Sequence, residues 1–151
     1  MLHPGDPVPK FSLPDQDGKL RSSDEFLGKW LVVYFYPKDD TPGCTKEACS
    51  FRDAFNELQK RGVQVVGISK DSVKSHQKFA EKYHLNFPLL SDTSKEIIKA
   101  FGALGQKKFM GREFEGVLRV TFLVDPNGKI SQVYENVNPI DHANAILKDL
   151  I

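Results

Sequence analysis

The chain has 151 residues, 40% of them apolar, enough for one compact domain with a substantial core and too few for two comfortable ones. Its 21 Lys and Arg against 20 Asp and Glu leave a formal net charge of +1, without the basic block that neutralises phosphate backbones or anionic lipids. Nucleic-acid and membrane partners are therefore not expected. The start Met1-Leu2-His3-Pro4-Gly5 lacks the charged-then-apolar run of a signal peptide, so a cytoplasmic protein fits best.

The first thirty residues set two apolar fragments, Phe11-Ser12-Leu13 and Phe26-Leu27, around the turn-forming Asp15-Gln16-Asp17-Gly18-Lys19, which predicts an N-terminal hairpin laid over the domain. Leu31-Val32-Val33-Tyr34-Phe35-Tyr36 is an unbroken β-branched and aromatic run, the pattern of a central strand buried on both faces. From Thr45 onward Ala48, Phe51, Ala54, Phe55 and Leu58 recur at three- and four-residue steps, predicting a helix stopped by Gly62. A second buried strand over 63–69 completes a right-handed βαβ unit. A helix over 72–83, a short strand over 87–90 and a short helix over 94–101 ended by Gly102 follow. A loop holding Gly105, Gly111 and Gly116 leads to strands over 117–124 and 129–135, joined by the turn Asp125-Pro126-Asn127-Gly128. A helix over 139–151 closes the chain. The expected architecture is α/β: a thioredoxin-like fold with an N-terminal hairpin extension and a central mixed sheet flanked by helices, in one domain over residues 1–151.

The two cysteines, Cys44 and Cys49, lie in Pro37-Lys38-Asp39-Asp40-Thr41-Pro42-Gly43-Cys44-Thr45-Lys46-Glu47-Ala48-Cys49, directly after the first central strand. A thiol where a strand passes through Pro and Gly into a helix stands in the partial positive field of the first turn, which favours the thiolate. In a reducing compartment such a pair is more often catalytic, redox-sensing, metal-binding or simply buried than a permanent staple. On an ideal helix, five residues separate the Cα atoms by about 8 to 9 Å and roughly 140° around the axis, beyond the ~7 Å that a disulfide spans. A bond between them therefore requires the helix start to unwind, unlike a preformed Cys-x-x-Cys pair. Cys44 would react first, and a local rearrangement would then bring Cys49 to it.

Blander readings stand beside this one. Both thiols could be structural core residues. A Zn site is disfavoured, because only two thiols are present and no His lies beside them. His3, His76, His84 and His142 read as surface residues, and Phe35, Tyr36, Phe51 and Phe122 as core. Glu47 reads as solvated or balancing the helix start, with steering of Arg119 as the alternative, and is left outside the site. Asp39 and Asp40 pose a difficulty, since carboxylates beside a thiolate oppose its formation; they must point away or be compensated.

Pro37, Thr41 and Cys44 reproduce the Pro-x-x-x-Thr-x-x-Cys signature of the peroxiredoxins. Together with Thr41-Pro42-Gly43-Cys44-Thr45, Cys49, Lys107-Lys108-Phe109-Met110-Gly111 and Arg119-Val120-Thr121-Phe122-Leu123-Val124-Asp125, they make the chain resemble the bacterioferritin comigratory protein, or peroxiredoxin Q, subfamily over nearly its full length. The resemblance implies a thiol peroxidase that reduces hydrogen peroxide and organic hydroperoxides, with thioredoxin or a similar dithiol as reductant and no metal or organic cofactor. It implies Cys44 as peroxidatic nucleophile, Cys49 as resolving thiol and Arg119 as a fixed positive charge carried on a later strand. Thr41 would orient peroxide or thiolate, Pro37 would wall the pocket, and the backbone N–H groups of Gly43 and Cys44 would bind the peroxide. Resolution within one chain removes any chemical need for a dimer, so a monomer is expected. Two rivals remain: a peroxide-sensing interaction module without useful turnover, and a disulfide oxidoreductase acting on protein thiols, which the absence of Cys-x-x-Cys disfavours.

Overall fold

The computed structural model describes residues 1–135 and 138–150. The chain opens with a small hairpin, β1 (Ser12–Pro14) against β2 (Leu20–Ser22), and a 3-10 turn over Ser23–Phe26. Leu13 and Phe26 anchor this arm to the core. The predicted central strand follows as β3 (Trp30–Phe35). Because side chains alternate across a strand, its unbroken apolar run feeds two layers. Leu31, Val33 and Phe35 pack with Phe11, Ile98, Phe101 and Phe122, whereas Val32, Tyr34 and Tyr36 pack with Phe51, Leu58, Phe79 and Ile146.

Two helices and a strand come next: α1 (Pro42–Asp53), α2 (Phe55–Lys60) and β4 (Val63–Ser69). The single helix expected from Thr45 therefore starts earlier, at Pro42, and is two helices. The break lies at Ala54, whose N–H bonds back to the carbonyls of Ser50 and Arg52 with ψ near 1°, a tightened turn that no Pro or Gly announces. The chain continues through α3 (Val73–Tyr83), β5 (Leu89–Ser91) and α4 (Glu96–Ala100), as predicted apart from their ends.

The expected glycine loop is instead a second hairpin, β6 (Leu104–Phe109) against β7 (Arg112–Val117), turning at Met110 and Gly111. The strand predicted over 117–124 is split: Val117 ends β7, Leu118 and Arg119 link, and β8 (Val120–Val124) begins the return into the core. β9 (Ile130–Glu135) and α5 (His142–Asp149) complete the elements. The predicted end of the last helix at Ile151 lies outside the described residues.

β3 pairs in parallel with β4 and β4 in parallel with β5, while β8 lies antiparallel to β3 on its other side and carries β9. The result is a five-stranded mixed sheet in the order β5-β4-β3-β8-β9, covered by helices, as the sequence predicts. Close packing at its centre depends on Gly67: a Cβ there would sit 2.7 Å from Cζ of Tyr34. That ring stacks on Phe51 of α1 at 4.8 Å and on Tyr36 at 5.4 Å, fixing α1 against the sheet. Removing Phe51 from this stack would cost roughly 3–5 kcal/mol. Among the described residues, no helix is long and apolar enough to cross a membrane.

Candidate active site

The site forms where the chain leaves the carboxyl end of β3 and turns into α1. Thr41 is the N-cap, with extended backbone, and Pro42 occupies the first helical position, where its missing N–H costs no hydrogen bond. The Thr41 hydroxyl does not cap the helix; it donates to the Lys38 carbonyl at 3.0 Å. The first turn, which holds Gly43 and Cys44, therefore receives no side-chain cap from Thr41. Pro37 is half-buried at the edge of this turn.

Cys44 is itself buried, 1% exposed, and the guanidinium of Arg119 reaches it from the link between β7 and β8. Nη2 of Arg119 donates to the Cys44 sulfur at 3.2 Å, and Nη1 donates to Oε1 of Glu47 at 2.9 Å. A hydrogen bond from a fixed cation stabilises sulfur as an anion. Gly43 makes the approach possible, since a Cβ there would lie 3.0 Å from Nη2. Arg119 was expected on a strand; it sits in the two-residue link instead, which frees its backbone from the sheet ladder and lets the side chain turn back over α1.

Glu47 corrects the reading of a solvated residue. It is fully buried, and its second oxygen has no partner. The pattern hid this because Glu47 is covered by Arg119, 72 residues later, rather than by local neighbours. Burial pushes the Glu47 carboxyl up to about 7, against the pull of Arg119. The same burial opposes Arg119's charge, but Glu47 and then Cys44 raise its pKa on balance.

The two aspartates are both compensated. Asp39 is buried and turned toward α3, where it pairs with His76 at 2.7 Å; Asp40 lies at the surface, held by Lys82 and the Tyr83 hydroxyl at 2.7 Å each. Of the four histidines, His3 and His84 are exposed as expected, whereas His76 and His142 are core residues. His142 bonds the Thr121 hydroxyl at 2.7 Å and stacks edge-on against Phe51, and burial followed by Arg119's charge lowers its pKa to about 4. Cys49, half-buried and free, is in the same continuous helix as Cys44. Burial raises its pKa, against the pull of Arg52. The structure thus brings Cys44, Arg119 and the uncapped helix start together, and keeps Cys49 on a different helical face.

Residues 4–133 match the AhpC/TSA family model. The chain is 47% identical over 146 residues to Peroxiredoxin Bcp of Escherichia coli strain K12, covering 97% of this chain and 94% of that one. Among solved structures, a Xanthomonas campestris bacterioferritin comigratory protein, studied for its alkyl peroxide reduction activity, is similar at a TM-score of 0.88 and 38% identity over 93% of this chain and 89% of that one. A mutant of Xylella fastidiosa PrxQ matches at a TM-score of 0.94 and 32% identity, over 99% and 96% of the two chains.

Proposed function

The chain belongs to the AhpC/TSA family as a thiol-dependent peroxidase of the Bcp/PrxQ type, and on that premise we propose that Cys44 is its nucleophile, Cys49 its resolving thiol and Arg119 its electrostatic partner. The observation that carries this reading is the 3.2 Å contact from Arg119 to the Cys44 sulfur at an uncapped helix start. The Cys44 thiolate attacks the terminal oxygen of hydrogen peroxide or an organic hydroperoxide. The S–O bond forms as the O–O bond breaks, and the departing hydroxide or alkoxide takes a proton, leaving Cys44 as a sulfenic acid. Negative charge grows on the departing oxygen, so donors aimed there, the Arg119 guanidinium and the Gly43 and Cys44 amides, bind the transition state more tightly than the substrate. Thr41 orients the peroxide through the free lone pairs of its hydroxyl, and Pro37 shields the reacting atoms from water.

Closure follows attack. The first turn of α1 unwinds, the Cys49 sulfur displaces the hydroxyl from Cys44, and water leaves with the proton of Cys49. A dithiol reductant such as thioredoxin then reduces the disulfide by exchange, returning two thiols. Both cysteines come from one helix, so the cycle needs no second copy of the chain. The rival reading, a peroxide-sensing module without turnover, is not favoured beside relatives that carry the peroxidase name.

NADPH consumption in the presence of hydrogen peroxide, thioredoxin and thioredoxin reductase tests the assignment. Cys44→Ser should abolish it, and Cys49→Ser should consume about one peroxide per chain before stalling, as expected when resolution follows attack. Sustained thioredoxin-coupled turnover by Cys49→Ser would remove Cys49 from its role.

A further inference from the structure

Asp39 sits five residues before Cys44, in the segment that hands β3 over to α1, and it is the best-anchored residue there. Its Oδ1 accepts the Tyr36 hydroxyl at 2.6 Å, and its Oδ2 accepts the Ser75 hydroxyl at 2.8 Å and pairs with Nδ1 of His76 at 2.7 Å. Its own backbone N–H donates to Oδ2 of Asp71 at 2.8 Å, and that oxygen also accepts the Ser69 hydroxyl at 2.7 Å. His76 is wholly buried, and its other ring nitrogen donates to the Leu90 carbonyl at 3.0 Å. Through its two ring nitrogens His76 thus ties Asp39 to the backbone of β5. Asp39, Asp71 and His76 bring one ligand atom each within 4.8 Å of the others, but hydroxyl, amide and ring protons already occupy the space between them. The cluster is locked by hydrogen bonds rather than arranged around a cation.

This lock joins the segment 37–41 to Tyr36 at the end of β3, to β4, to α3 and to β5 at once. The exposed Asp40–Lys82 pair lies beside it and, being solvated, adds little. Among the described residues none of these groups hydrogen-bonds to Cys44, but Tyr36 and Asp39 lie just upstream of the turn that must unwind before Cys44 reaches Cys49. We propose that Asp39 and His76 are positioning residues for the reaction at Cys44: their buried pair pins the segment 37–41 onto α3, holding the first turn of α1 folded and favouring attack on peroxide over closure of the Cys44–Cys49 bond. The inference rests on the functional reading above and adds to it what sets the competition. A sulfenic acid held in a folded turn is exposed longer to a second peroxide, which carries it to sulfinic acid; a loosened turn delivers it sooner to Cys49.

The test mixes reduced protein with graded peroxide, blocks remaining thiols, and measures disulfide and sulfinic acid at Cys44 by mass spectrometry, alongside the rate of the first oxidation. Asp39→Asn and the milder Ser75→Ala should both slow the first oxidation and lower the sulfinic fraction at a given peroxide concentration, several-fold for Asp39→Asn and less for Ser75→Ala. A single substitution also leaves a buried partner unpaired, so the decisive variant is the triple Tyr36→Phe/Asp39→Ala/His76→Leu, which removes the facing buried groups together and lets stability recover. If the lowered sulfinic fraction persists in the triple variant while its urea midpoint returns toward that of the parent, the positioning role stands. A sulfinic fraction that returns with stability, or that never changed in chains that do close the disulfide, overturns the inference and leaves the functional reading intact. A parent chain that never joins Cys44 to Cys49 overturns both.

Discussion

Around Asp39, both carboxylate oxygens and both ring nitrogens of His76 have hydrogen-bond partners; around Arg119, the second oxygen of Glu47 is buried with none. The two polar clusters flank the same turn of chain, yet one is saturated and the other is left short. A fully satisfied buried network rigidifies what it joins, and an unsatisfied polar atom carries a standing cost of about 1–3 kcal/mol. The molecule therefore keeps its rigidity in the support and its imbalance at the sulfur. A Glu47 that holds its proton up to about 7 neutralises Arg119 less, leaving more of the guanidinium charge for Cys44.

The largest expected effect breaks the short side of this contrast. Arg119→Met removes the one side-chain donor to the sulfur among the described residues and should slow peroxide attack by about 10² to 10³-fold, the range seen when one transition-state donor is lost. Stopped-flow oxidation of the reduced chain measures it. A loss under threefold would mean that the helix start alone activates Cys44.

The next effect is on stability against pH, and it separates two groups of opposite sign. Glu47 holds its proton more tightly folded, at about 7, than at its ordinary 4.5, so the stability it lends is present below 4.5 and lost as pH rises toward 7. His142 holds its proton less tightly folded, at about 4 against 6.5, so its contribution is present above 6.5 and lost as pH falls toward 4. Each amounts to roughly 3 kcal/mol, and over the shared window they oppose one another. Glu47→Gln should therefore unmask a stability that climbs steeply from pH 4 to 6.5, read from urea midpoints across that range. A profile as flat as the parent's would show that His142 does not titrate as its burial implies.

The smallest effect sharpens the contrast by geometry alone. Gly43→Ala should improve helix propensity by up to about 1 kcal/mol. The new methyl also meets Nη2 of Arg119 at 3.0 Å, so the rate of peroxide attack should fall a few-fold while thermal stability holds or rises. Unchanged kinetics would show that the guanidinium gives way without leaving the sulfur.

Much of this was readable from residue order. The run from Leu31 to Tyr36 reads as a doubly covered strand, and Pro42, Gly43 and Cys44 after it announce a helix, which the structure begins at Pro42 rather than at Thr45. What escaped depends on contacts distant in sequence. Glu47 and His76 are polar residues at helical spacing, indistinguishable from a solvated face until the fold brings Arg119 and Asp39 against them. His142 was hidden in the same way by Phe51 and Thr121. The β6–β7 hairpin escaped for another reason: Glu113 opposite Lys108 and Glu115 opposite Gln106 stabilise a ribbon without the apolar alternation that marks a half-buried strand.

The register of the central sheet also gives the site a birth order. β3 is complete on one side once β4 follows it, but its other side waits for Val124 to pair with Leu31, across more than half the chain. Arg119 enters with that last pairing. During synthesis Cys44 is made early, at the end of an unfinished strand with an open edge, and is without its cation until β8 closes the sheet. A nascent or partly folded chain thus lacks the Arg119 contact on which the proposed role of Cys44 rests, and only the closed sheet supplies it.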